Sequence, residues 1–531
     1  MSSSDAPRLS RRTLLGGMAA LGLLGTGFAV PASADESSAQ SMPFDFDALA
    51  ERMRQRATTA HAAPPAALPA PLAQLDYDGY RRIQFRAENA RWQDNDAQYH
   101  LHAFHPGWLY PEPVKLYEVS GGEATPLLFS ADDFDYHDPE LVEELGHDDF
   151  PGIAGFRINH PLNRDGAFDE LVSFLGASYF RALGRDNIYG LSARGLVINS
   201  WGEGPEEFPR FSEFYLERPV AGEPLTIYAA LESESVTGAY RFVITPAGPD
   251  RQETSMEVTA RLFFRHDVRE LGVAPLTSMF VFSDVNRSGF DDYRPQVHDS
   301  NGLAIERATG ERLWRPLNNT ATLGNSYFGE TDPRSFGLFQ RGRAFESYQD
   351  AGAHYERRPS LRVEPLGDWG AGLVRLIEIP TRTETDDNIV AFWIPSEPVK
   401  AGDAREFNYR LIWGDLEPQP DGDHAYVTET LAGQGGVSGV ENADNLRKFV
   451  IDFTGGPLES LPGGATIDVL ATASGGKVET STLSYVPASG VWRLVIDVAS
   501  DGPAPIELKA YLVSGGHVLT ETWLYQWRDD Q

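Results

Sequence analysis

Cysteine is absent from this 531-residue chain, and lysine nearly so: only five of the 45 basic residues are lysines. The first absence excludes thiol nucleophiles, disulfide staples and thiolate metal sites, so the cores must hold without covalent help. Positive charge is scarce as a whole. Against 77 Asp+Glu it leaves a formal net charge of −32, a surface that repels nucleic acid and anionic lipid. Familiar catalytic signatures are missing too. The chain holds no G-x-S-x-G elbow, no phosphate-binding loop and no H-E-x-x-H pair, which weakens the esterase, kinase and metalloprotease readings.

What is present begins with an address. "SRRTLL" (Ser10 to Leu15) sets twin arginines before an apolar run from Leu14 to Val30, and Ala32-Ser33-Ala34 offers small residues for cleavage. The pattern predicts a twin-arginine signal over residues 1–34 and a mature protein outside the cytoplasm. "FDFDALAERMRQRA" (Phe44 to Ala57) has the spacing of one amphipathic helix, and "AAPPAALPAPLA" (Ala62 to Ala73) reads as a connector. From about Tyr77 strand patterns dominate, "LTIYAAL", "AYRFVITP" and "FNYRLIW" among them. One helix is expected to interrupt them, over Asp169 to Arg185.

The fold class this predicts is mainly β: a large N-terminal β-sandwich over 40–414, a linker at 415–424, and an immunoglobulin-like β-sandwich over 425–531.

Three groups of residues are candidates for chemistry. His100 and His102, two apart with His105 beyond, have too few partners for a convincing metal site. Asp284, Asn286 and Ser288 imitate the start of a calcium loop, but Pro295 stands where its glutamate belongs. No metal and no cofactor is therefore expected. The third group is carboxylates among aromatics: Asp299 beside His298, and Asp387 at the mouth of the run Ile389 to Ile394, near Trp314, Tyr348, Tyr355, Trp369 and Trp393. Glycoside hydrolysis needs one protonated and one ionised carboxyl group, and a dry strand mouth would raise the pKa of the first. Aromatic faces pack against the C–H faces of sugar rings.

Several long stretches carry a resemblance: "FPRFSEFYLERP", "DDYRPQVHDSNGLAI", "LWRPLNN", "FGLFQRGRAFESYQD", "AHYERRPSLRVEP", "DDNIVAFWIP" and "RKFVIDF". In these the chain resembles the periplasmic glucan biosynthesis proteins G and D, which act on osmoregulated glucans, and its twin-arginine signal leans toward D. The resemblance implies a periplasmic protein whose N-terminal sandwich is of the carbohydrate-binding, mutarotase-like type. It implies action on β-1,2-glucan as an inverting endo-β-1,2-glucanase, with Asp387 as general acid, Asp299 as a base working through a relay, and Tyr355 positioning hydroxyls. His298, Trp314, Arg315 and Trp393 fall in the same motifs as sugar-binding residues, and Trp369, in "GDWG" between them, is taken with them. Asp386 is the rival of Asp387. The other readings are a glucan-binding protein without cleavage and a transglycosylase, and an inner-membrane glucan synthase and a second copy of the chain are the partners left open. Asp299 and Asp387 both exposed and facing each other would mark the hydrolase.

Overall fold

The computed structural model describes residues 41–528 apart from 63–67, 69, 94–95, 137, 148, 203, 438, 440–444, 462–465 and 503. The signal expected over residues 1–34 and part of the Pro/Ala connector lie outside the described residues. Among the described residues no helix is long and apolar enough to cross a membrane. The N-terminal helix forms at Phe46–Arg56, where Asp45 caps it by accepting from Ala48 N at 2.7 Å, a contact worth about 1 kcal/mol. Its buried face, Leu49, Ala50 and Met53, packs with Tyr215 on the back of the largest sheet.

The fold is mainly β. Among the described residues sixteen strands form the largest sheet and ten the second. Period-two patterning builds the first: in Thr254–Phe264, Met256, Val258, Ala260, Leu262 and Phe264 point into the core, and Glu257 is exposed. Both its neighbours, Val236–Thr245 and Ala404–Gly414, are antiparallel. In the second sheet Leu271–Ser278 is buried at every residue. Val273, Leu276 and Trp393 of this sheet share one hydrophobic cluster with Met256, Val258 and Leu262 of the first.

The helix expected over Asp169 to Arg185 does not form. Ala167–Leu175 and Tyr179–Ala182 are strands, joined by a turn at Gly176 and Ala177, which take φ of 79° and 42°. Leu171, Val172, Phe174, Phe180 and Ala182 are all buried in the main core. Apolar residues at this spacing satisfy a helical face as well as two short strands, and pairing with Gly155–Arg164 decides between them.

Beyond Gly414 the chain builds a four-stranded sheet from Tyr426–Gln434, Leu446–Thr454, Gly476–Val486 and Val491–Ser500. Its remaining long strands extend the largest sheet, because Thr522–Trp527 lies parallel to Arg312–Pro316. Trp314, Phe339 and Leu416 accordingly share a hydrophobic cluster with Phe449, Trp523 and Trp527.

Candidate functional site

The acidic stretch that precedes Ile389 sits on a rigid mount. Strand Ile389–Pro395 pairs with Leu271–Ser278 on one side and Ala371–Glu378 on the other. Ile389, Ala391 and Trp393 enter the main core, while Val390 and Phe392 enter a smaller cluster on the opposite face. Burial on both faces is why the run is apolar without alternation.

The loop before it is closed by side chains. Ile379 N donates to Asn388 O at 2.8 Å. Asn388 Nδ2 donates to Phe280 O and Ile379 O, and its Oδ1 accepts from Phe280 N at 2.8 Å. Asn319 holds the far side, donating to Thr381 O and Val281 O and accepting from Thr381 N. Asp386 Oδ2 accepts from the hydroxyls of Thr381 and Thr383, both at 2.8 Å, so this carboxylate shapes the loop. Asp387 is partly buried, open to some solvent rather than sealed by the strand.

Three segments converge on Arg294. Its guanidinium donates to Asp292 Oδ2 at 2.7 Å, Asp350 Oδ2 at 2.8 Å and Glu384 Oε1 at 2.5 Å. These hydrogen bonds, Arg294 first among them, hold the Glu384 carboxyl below the usual range despite its partial burial. Glu384 Oε2 in turn accepts from the Tyr355 hydroxyl at 2.5 Å. Burial, then the Glu384 contact, pushes the Tyr355 phenol well above its ordinary value; it stays protonated and donates. The Tyr355 ring lies 5.2 Å from the Arg358 guanidinium, whose Nε stands 3.2 Å from Asp299 Oδ1. One tyrosine thus links the loop of Asp387 with the counter-ion of Asp299.

Asp299 itself is 4% exposed. The arrangement that would mark the hydrolase, Asp299 and Asp387 both exposed and facing each other, is not the one found: Asp299 is buried, with Arg358 Nε 3.2 Å from its Oδ1. His298 is fully buried between Gln340 and Gln296, at 2.9 and 2.8 Å, and burial pushes its pKa down to about 3. A neutral ring sealed among amides has no face for a sugar. Gln340 was not singled out by the motifs, yet its Nε2 donates to both His298 O and Tyr355 O at 3.0 Å.

The tryptophans of the motifs are placed inside. Trp393 is fully buried, and a Cβ on Gly372 would come 2.3 Å from its indole. Trp369 packs on Trp393 and donates Nε1 to Asn408 O at 3.2 Å. Trp314 lies beneath the Arg341 guanidinium and against Gly302, the residue that leaves room for it. Arg315 donates to Glu378 at 3.0 Å in a pair with side chains 3% and 1% exposed. All four are buried, so none presents a surface on which a sugar could stack. Arg294 and Arg358 are the residues that sequence reasoning missed, and Glu384, one of three acids before Ile389 in the sequence, carried no assigned role there.

Among the described residues no group of three or more His, Cys, Asp or Glu is arranged to hold a metal. His100 stacks on Phe168 at 3.7 Å, and Asp284 accepts from Gln296. Near Asp284 lies Glu429, whose carboxyl is pushed up to about 7 by burial first, then by Asp284 and Asp452. A carboxyl raised in the folded state from its ordinary value of 4.5 binds more protons folded than unfolded between pH 4.5 and about 7. Stability therefore falls as pH rises through that window. We predict that Glu429→Gln raises stability at pH 8 by on the order of 1–3 kcal/mol, after allowing for partial solvent access, and changes little at pH 4. Urea unfolding at the two pH values checks it; equal shifts at both would show that charge is not the cause.

Comparison with known proteins bears on this arrangement. The family model described as "Periplasmic glucan biosynthesis protein, MdoG" matches residues 44–527. The chain is 54% identical to glucans biosynthesis protein G of Cereibacter sphaeroides, covering 99% of each chain. It is 43% identical to the protein G of Ralstonia nicotianae, covering 92% of this chain and 97% of that one. With the "Probable glucans biosynthesis protein D" of Shewanella oneidensis it shares 40% identity, over 93% and 91% of the two chains. Relatives of both names thus match nearly the whole chain.

Proposed function

The chain belongs to the periplasmic glucan biosynthesis protein family, and on that premise we propose that it is an inverting endo-β-1,2-glucanase acting on the glucan backbone. The observation that carries this reading is Tyr355, whose hydroxyl donates to Glu384 in the loop of Asp387 while its ring lies against Arg358, the partner of Asp299. Asp387, partly open to solvent, donates a proton to the leaving glycosidic oxygen. Water attacks the anomeric carbon from the opposite face, and its proton passes through hydroxyl groups toward Asp299. Asp299 does not meet the water directly, which suits its burial. Arg358 supplies the counter-charge that a buried carboxylate needs. Occupation of Asp386 by two threonine hydroxyls favours Asp387 as the acid.

The test is incubation of the mature protein with linear β-1,2-glucan, following chain length and the optical rotation of fresh product. Shortening with the α-anomer formed first is expected. Intact glucan in the presence of measurable binding would overturn the hydrolase. It would favour a glucan-binding protein without cleavage, a reading with one observation behind it: Asp299 is 4% exposed.

A further inference from the structure

An exposed aromatic ring on an ordered segment offers rigid contact area to a ligand. Among the described residues the most exposed large apolar side chain is Tyr293, at 72%. It stands between Asp292 and Arg294, on the segment that meets Glu384 and Asp350 through the Arg294 guanidinium. Arg294 N also donates to Asp292 Oδ1 at 2.9 Å, and the Arg294 side chain is only 12% exposed. Asp292 and Arg294, on either side of Tyr293, are thus tied into a partly exposed ion-pair cluster, while the ring itself stands in solvent. Arg294 lies 5.9 Å from the ring centroid. Phe345, 42% exposed, stands on the segment that leads to Asp350, where Gln349 N donates to Phe345 O at 2.7 Å.

We propose that Tyr293 is a sugar-stacking platform at the rim of the Arg294 cluster, taking a glucose unit of the glucan outside the bond that is cleaved. This rests on the proposed glucan reading. It moves the stacking role from Trp314, Trp369 and Trp393, which are buried, to an aromatic ring that is open. A preorganised tyrosine gives contact area at little entropic cost, because its backbone is already ordered. The phenol hydroxyl is not needed, so phenylalanine can replace it.

The test measures binding of long linear β-1,2-glucan to the Asp387→Asn protein by affinity electrophoresis. Adding Tyr293→Ala is expected to weaken binding by about ten-fold, the size of one lost aromatic stack, and Tyr293→Phe to restore it. Tyr327→Ala is the control: that tyrosine is 57% exposed on strand Gly324–Thr331, where its ring meets Arg375 rather than Arg294. Unchanged affinity in Tyr293→Ala overturns the platform, as does an equal loss in Tyr327→Ala. No binding by the parent protein would overturn the glucan reading itself, a separate outcome seen before any Tyr293 variant is compared.

Discussion

Replacing Asp387 by asparagine is expected to slow glucan shortening by about 10²–10⁴-fold, the span attributed to one general acid, and to leave glucan affinity nearly unchanged. The amide keeps the size and shape of the carboxyl group but has no proton to give to a leaving alkoxide. The loop should survive the change. Its closure depends on Asn388, Asn319 and the threonine contacts of Asp386, none of which is altered. A substrate whose aglycone leaves as a stable anion needs no proton and should recover most of the lost rate. Loss that is equal on both substrates would point to a damaged loop, and near-normal cleavage of glucan would remove Asp387 from the acid role.

The same logic separates Asp387 from its neighbours. Glu384 is tied to Arg294 and to Tyr355, and its carboxyl is held below the usual range. A carboxylate of that kind is a poor proton donor near neutral pH, however central its position. Three acids within four residues therefore have different tasks. Glu384 joins segments and Asp386 shapes the loop, which leaves Asp387 as the candidate for proton transfer.

The strand that mounts this loop was legible from its sequence because its physical cause is local. An apolar run broken by turn residues has few structures open to it, and Ile389–Pro395 took the expected one. The convergence on Arg294 was not legible. Arg294 and Glu384 are 90 positions apart, and no periodicity records which charge meets which across such a distance. The tryptophans erred in the other direction. Composition shows that an aromatic residue is present but not which face of a strand carries it, and the core takes most large rings. Trp393 illustrates this: alternation with Ile389 and Ala391 puts it in the main core, and Gly372, two residues along the neighbouring strand from its register partner Val374, leaves room for its indole. The segment Asp169 to Arg185 failed for a related reason, since partners distant in sequence chose between two periods that its apolar residues satisfy equally.

Arg341→Met is expected to destabilise the protein by about 3–5 kcal/mol, the cost of leaving a buried carboxylate without its partner. The Arg341 and Glu521 side chains are 4% and 1% exposed and meet through two hydrogen bonds, at 2.6 and 3.0 Å. Glu521 also accepts from Val427 N at 2.7 Å, so the lost charge would fall where the C-terminal strands meet the 341 segment. Stability of a typical folded domain is only about 5–15 kcal/mol, which makes this loss readable as a large drop in the urea midpoint. Replacing both partners, Arg341→Met with Glu521→Leu, should recover most of it, because no charge then remains buried. Failure of the double variant to recover would show that the Trp314 stack, 3.4 Å from the guanidinium, matters more than the ion pair. The effect should also reach the candidate site. Gln340, the residue before Arg341, holds the backbone of His298 and Tyr355 together. Loosening the 341 segment frees the tyrosine that links Asp299 to the loop of Asp387, so glucan cleavage in Arg341→Met should fall at temperatures where the protein is still folded.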